Sequence, residues 1–201
     1  VSDQHSPAFE SSLAYNAPTI HSVYGVGSVN ASTSGGQAVF VSGANLGAAD
    51  GAIRLLYGNS TELSFASSPC HTVLPHTLLR CITAPGSGYQ DRWVVAVEKQ
   101  RSQPFVQQSG IYGAPAVMEV DKLHELLPTQ GGMEIVITGL NFGDDASLVH
   151  VEYENEFGDQ FFPLCTILTN HTQLECVSVA GFGAEVRWTI EVNGLVAEDV
   201  F

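Results

Sequence analysis

One passage occurs twice in this chain. Gly35-Gly36-Gln37-Ala38-Val39-Phe40-Val41-Ser42-Gly43-Ala44-Asn45-Leu46-Gly47 returns as Gly131-Gly132-Met133-Glu134-Ile135-Val136-Ile137-Thr138-Gly139-Leu140-Asn141-Phe142-Gly143, displaced by 96 positions. Cys70, His76, Thr77, Leu79 and Cys81 return as Cys165, His171, Thr172, Leu174 and Cys176, displaced by 95, as do Trp93 and Val97 at Trp188 and Val192. Ala17-Pro18 returns as Ala114-Pro115, displaced by 97. An offset this steady means two copies of one module in tandem, each long enough to close its own core. Such an arrangement builds a stalk, an array or a recognition surface more readily than a catalytic cleft.

Within a module the strand signals dominate. Thr19–Tyr24, Gln37–Ser42, Ala52–Tyr57, Leu78–Thr83 and Trp93–Glu98 are short runs rich in β-branched and aromatic residues. Turn-forming stretches such as Gly43–Gly47 and Pro85-Gly86-Ser87-Gly88 divide them. In the second copy the same reading gives strands over 134–138, 148–153, 173–179 and 186–192, with at most a helical turn over 120–126. Ile53, Leu55 and Tyr57 alternate onto one face. Many short strands in under 100 residues predict an all-β chain of two sandwiches. The Gly-x-Asn-x-Gly string reads as a strand-connecting turn needing positive φ, because no helix follows it to make a phosphate cradle.

The net charge is -14, and it is lopsided. Residues 17–113 carry a balance of +1, and residues 114–201 a balance of -13. Without clustered Lys and Arg the chain is expected to bind neither nucleic acid nor an anionic membrane surface. No run of 18 apolar residues is present, so no direct membrane insertion is expected in this segment.

Each module owns two cysteines, eleven positions apart in both copies. Repetition argues for Cys70–Cys81 and Cys165–Cys176 disulfides that clamp neighbouring strands. A zinc site is the weaker reading, because the close C-x-x-C spacing is missing. Three N-glycosylation sequons start at Asn30, Asn59 and Asn170. Paired cysteines and sequons together point to an extracellular or cell-surface location.

The order of these signals resembles the IPT/TIG domain. The residues that carry the likeness are the Gly-Gly before an apolar strand, Gly139-Leu140-Asn141-Phe142-Gly143 after it, Cys165 and Cys176, and the matching stretch around Gly43–Gly47, Cys70 and Cys81. The likeness runs from Ala17 to the C-terminus, with Leu46 where the family favours Phe and no Pro in the second copy's later turn. It implies an immunoglobulin-like β-sandwich without catalytic residues or cofactors, of a kind found in plexins, the hepatocyte growth factor receptor, fibrocystin-like proteins, microbial surface proteins, accessory modules of carbohydrate-active enzymes and some DNA-gripping transcription factors, the last branch being disfavoured by the acidic balance, paired cysteines and sequons. The expected division is a closing strand of a preceding module at 1–16, a first module at 17–113 and a second at 114–201 whose last strand is incomplete. Phe9, Phe105 and Phe201 stand 96 apart, and the chain reads as a window of a longer repeat array. Strand exchange, with residues 1–16 completing a module of a neighbouring chain, is the rival.

Several smaller features need assignment. Asp144, Asp145, Glu152 and Glu154 are the weak candidates for a cation site, against the plainer reading of a solvated acidic face. Val151 and Tyr153 should face the core between those glutamates. His76-Thr77 and His171-Thr172 read as local turn elements. Trp93 and Trp188 read as core or edge aromatics, with a sugar-stacking platform as the alternative. No Gly-x-Ser-x-Gly elbow, P-loop or His-Glu-x-x-His occurs. The expectation is a non-enzymatic, glycosylated structural or adhesive repeat protein of a filament or cell-surface array. Its expected partners are neighbouring modules or copies of the same protein, and other surface proteins or glycans. A receptor ectodomain for a secreted protein, and a carbohydrate-binding region of a secreted enzyme, are the alternatives.

Overall fold

The computed structural model describes residues 13–48, 52–67, 70–122 and 125–197. The first module contains β1 (Thr19–Tyr24), β2 (Ala38–Ala44), β3 (Ile53–Gly58), β4 (Phe65–Ala66), β5 (His71–Leu74), β6 (Leu78–Ile82), β7 (Arg92–Val97), β8 (Gln100–Arg101) and β9 (Phe105–Val106). The second contains β10 (Ala116–Val120), β11 (Glu134–Leu140), β12 (Val149–Glu154), β13 (Gln160–Phe161), β14 (Leu164–Thr169), β15 (Gln173–Val177), β16 (Arg187–Val192) and β17 (Leu195–Val196). All strand pairs are antiparallel. Each module is two sheets, β1-β2-β6-β5 over β4-β3-β7-β8 (with β9 also on β7) and β10-β11-β15-β14 over β13-β12-β16-β17. These are immunoglobulin-like β-sandwiches.

Alternation builds each core. Val39 and Val41 of β2 and Leu79 and Cys81 of β6 point inward from one sheet. Ile53, Leu55 and Tyr57 of β3 and Trp93 and Val95 of β7 meet them from the other. The second module repeats the scheme with Ile135, Ile137, Leu174 and Cys176 against Val151, Tyr153, Trp188 and Ile190. Even the irregularities recur: β1 slips register on β2 between Ile20 and Ser22, and β10 slips on β11 between Val117 and Glu119. A bulge re-aims a strand, and both modules place it where the chain enters the sandwich.

The Gly-x-Asn-x-Gly loop divides its labour. Asn45 (φ 57°) and Gly47 (φ 87°), like Asn141 (φ 64°) and Gly143 (φ 76°), supply the left-handed turn. Gly43 and Gly139 are not left-handed. They are needed because a Cβ there would run into the carbonyl oxygen of Thr19 or Ala116.

Residues 120–126 hold no helix among the described positions: Val120 ends β10 and Asp121-Lys122 turn, while residues 123–124 lie outside the described residues. Strands β5, β10 and β14 escaped the sequence reading, since His71–Leu74 and Leu164–Thr169 are mostly exposed and carry little alternation. Of the closing strand read over 1–16, residues 1–12 lie outside the described residues and 13–16 are not in a strand. The second module's last positions, 198–201, also lie outside them.

Candidate functional site

The two modules meet in a defined junction. At the far pole of the first module, Ala31 forms a parallel bridge with Tyr112. The Ala31 amide donates to the Ile111 carbonyl at 2.7 Å, and the Gly113 amide donates to the Ala31 carbonyl at 2.9 Å. These bonds hold the linker Tyr112–Pro115 against the first sandwich. Tyr112 itself is only 2% exposed. Its ring sits 5.5 Å from Phe65 and 6.3 Å from Tyr57, and its hydroxyl donates to the Ala84 carbonyl at 2.8 Å. Burial, then the bonded Tyr57 hydroxyl, raises the Tyr112 phenol far above its ordinary value; burial raises Tyr57 as well. A residue at the start of the linker is therefore part of the preceding core.

The near pole of the second module is the turn set Asn141, His171 and Asn193. All three have positive φ, and all three side chains bond to the first module or its linker. The Thr33 amide donates to Asn141 Oδ1 at 3.2 Å, while Asn141 Nδ2 donates to the Ala114 carbonyl at 3.0 Å. His171 Nδ1 and Thr33 Oγ1 share a hydrogen bond of 3.1 Å. Asn193 Nδ2 donates to the Ser87 carbonyl at 3.2 Å and to Ser87 Oγ at 3.3 Å. Gly88 (φ 80°) lies against Asn193, where a Cβ would collide. The bonds of Thr33 and Ser87 to Asn141, His171 and Asn193 span more than 100 positions of sequence and tie the modules pole to pole.

The histidine reading is thereby corrected. His171 does sit in a turn, closed by the Thr172 amide on the Thr169 carbonyl, but its side chain reaches across the junction to Thr33, and its amide and carbonyl bond to the Gly143 carbonyl and the Phe142 amide of its own module. Sequence reasoning missed Thr33, Ser87 and Asn193 altogether. The available signal was that Asn141 and His171, adjacent in space through those two backbone bonds, repeat as Asn45 and His76 although neither belongs to a core.

The other candidates fall elsewhere. Cys70 is joined to Cys81 and Cys165 to Cys176; Cys81 and Cys176 lie wholly in their cores. Asn30 and Asn170 are exposed in turns flanking the junction, and Asn59 is half-buried with its Oδ1 accepting from the Thr61 and Glu62 amides at 2.9 and 3.0 Å. Asp145 caps a 3₁₀ turn at Ala146–Leu148, where the hydroxyl and then the amide of Ser147 hold its carboxyl below the ordinary value. Glu152 lies 3.7 Å from His150 on β12, Glu154 ends that strand exposed, and Asp144 is exposed in the preceding loop. Among the described residues these four form no group that could hold a metal ion. Val151 and Tyr153 do face the core. Trp93 (0% exposed) and Trp188 (8%) are buried, so neither offers a sugar-stacking face.

No family model matches the sequence, and no curated protein matches it. Among solved structures the chain is similar to SGBP-B from a complex xyloglucan utilization locus in Bacteroides uniformis. Identity is 15%, the TM-score is 0.36, and the match covers 92% of this chain and 49% of that one. It is also similar to the plexin A4 full extracellular region, at 18% identity and a TM-score of 0.36, covering 98% of this chain and 20% of that one. The chain thus spans half or less of these proteins. Two disulfides accord with a secreted or surface protein. Among the described residues no helix is long and apolar enough to cross a membrane.

Proposed function

We propose that the chain is a pair of IPT/TIG-like spacer modules from a non-enzymatic, extracellular structural or adhesive protein, glycosylated and arranged in a filament or cell-surface array. The observation that carries this reading is the junction. A linker whose tyrosine is built into the preceding core, and turns that bond to it from the following module, fix the relative orientation of two repeats. Fixed orientation is what a stalk or array needs and what a flexible tether lacks. The glycans would sit at Asn30, Asn59 and Asn170, away from the cores. Electron microscopy of the native protein, with glycan-release mass spectrometry, tests the reading. Glycosylated, regularly repeating extracellular assemblies support it. Discrete unglycosylated monomers sink it.

A receptor ectodomain is the second reading. It is favoured by the large apolar side chains that the second module leaves exposed, among them Phe157, Phe162 and Leu164. A soluble protein ligand that is lost on substituting Phe157 and Phe162 would select it.

A further inference from the structure

Each half of the junction has a counterpart on the other module that no described residue covers. In the first module the Tyr112 ring is held between Phe65, Tyr57 and the Ala84 carbonyl. The second module has the matching receptacle. Tyr153 stands where Tyr57 stands, Phe161 where Phe65 stands, and Val179 where Ala84 stands. Among the described residues the Tyr153 hydroxyl bonds only to the Val179 backbone, at 3.2 and 3.3 Å. Beside it lies a cavity of about 120 Å³ lined by Leu127, Tyr153, Phe161, Val179 and Phe182, which no described residue fills.

The matching plug is at the other end. Tyr15-Asn16-Ala17-Pro18 repeats Tyr112-Gly113-Ala114-Pro115, and the Tyr15 ring is 93% exposed. Around it lies an open groove of about 750 Å³, lined by Asn45, Gly47, His76, Val97, Lys99 and others. The counterparts of those residues in the second module, Asn141, Gly143, His171 and Val192, form the face that the first module covers. Asn45 and His76 are exposed where Asn141 and His171 are half-buried. Asn45 Nδ2 donates to the Ala17 carbonyl at 3.1 Å, as Asn141 does to Ala114, so this face already has its docked form.

We infer that the first module's near pole docks onto the second module's far pole of a second copy of this chain, with Tyr15 entering the cavity beside Tyr153. The inference rests on the array reading and names its joint. Two differences between the junctions fit this occupant. Ser87, which packs beside Gly143, is replaced in the second module by Phe182, 62% exposed, and the groove that would receive it is lined by Gly47 and Val97. The groove carries Lys99 beside Glu98 on a module of balance +1, while Glu154, Glu156 and Glu185, with Arg187, gather on a module of balance -13. A contact between two different surfaces of one chain does not close on itself, and it propagates as a row.

Sedimentation velocity of the 201-residue chain from micromolar to millimolar concentration tests this. Expected is a mass that climbs through successive multimers, weakened by salt. Tyr15→Ala and Phe182→Ser should each shift the midpoint by about tenfold or more, equivalent to about 1.4 kcal/mol, with melting of both modules unchanged and Tyr15→Phe largely restoring assembly. A mixture of the Tyr15→Ala and Phe182→Ser chains should stop at dimers, since one has a sound tail and the other a sound head. Absence of association, a closed dimer, or assembly indifferent to both substitutions overturns the joint. The array reading is judged separately, by microscopy of the native material: regular arrays alongside indifferent variants would reject this joint alone.

Discussion

The Tyr112 hydroxyl lies 3.1 Å from that of Tyr57, and both reach the backbone of Ala84. The pair locks a linker residue to the C-terminal end of β3. Tyr112→Phe should cost the first module about 1 kcal/mol, the worth of one net hydrogen bond. Tyr112→Ala should cost about 3–5 kcal/mol, because it also leaves a ring-sized hole. Calorimetry resolves the outcome if the first module's transition moves and the second module's does not.

The same pair sets an alkaline limit. Tyr57 and Tyr112 are both raised above the ordinary tyrosine value of 10.0. Their contribution is complete below pH 10, where the unfolded phenols are also protonated, and is lost as pH climbs toward the folded values. The first module's melting temperature should fall above about pH 10, and less steeply in Tyr112→Phe. Thermal scans across that range check the slope.

Gly139→Ala should destabilise the second module by about 1–3 kcal/mol, since β10 must move to admit the Cβ beside the Ala116 carbonyl. Gly43→Ala should do the same to the first module through Thr19. By contrast Gly132→Ala meets no neighbouring atom and should be limited to the backbone cost of φ 88°. Urea unfolding of the three variants ranks them.

Replacing Cys165 and Cys176 together by Ser should cost the second module about 2–3 kcal/mol through the freed loop. Because the two residues are direct cross-strand partners, β14 should lose amide-exchange protection first. Exchange measured by mass spectrometry distinguishes this from uniform loosening.

Thr33→Val combined with Ser87→Ala removes the His171 bond and one of the two bonds to Asn193 without touching either core. Each module should keep its stability to within about 0.5 kcal/mol. The spread of inter-module angles should widen, and residual dipolar couplings would report it as unequal alignment of the two sandwiches.

The cores were legible in the sequence because alternation is a direct consequence of strand geometry: Ile53, Leu55, Tyr57, Val151 and Tyr153 are buried as the pattern requires. The edge strands β5 and β14 were not, since His71–Leu74 and Leu164–Thr169 owe their conformation to pairing with β6 and β15 and not to their own pattern. The junction was half legible. Asn141 and His171 announce themselves by repeating, but what they touch depends on Thr33 and Ser87, small polar residues whose role comes entirely from the fold that positions them. Glu156, at the same alternate spacing as Glu152 and Glu154, lies beyond the end of β12 and accepts from the Ala184 amide, because Asn155 turns the chain there.

Since the Tyr112 ring belongs to one sandwich and the next residues lead straight into another, tension along the chain has no slack linker to take up. Load applied to the second module pulls on the Tyr112 plug itself. The pair should therefore behave as a stiff rod up to a yield force at which the ring is drawn from its seat. Beyond it the rod becomes a hinge, and it stiffens again when the load is released and the tyrosine returns.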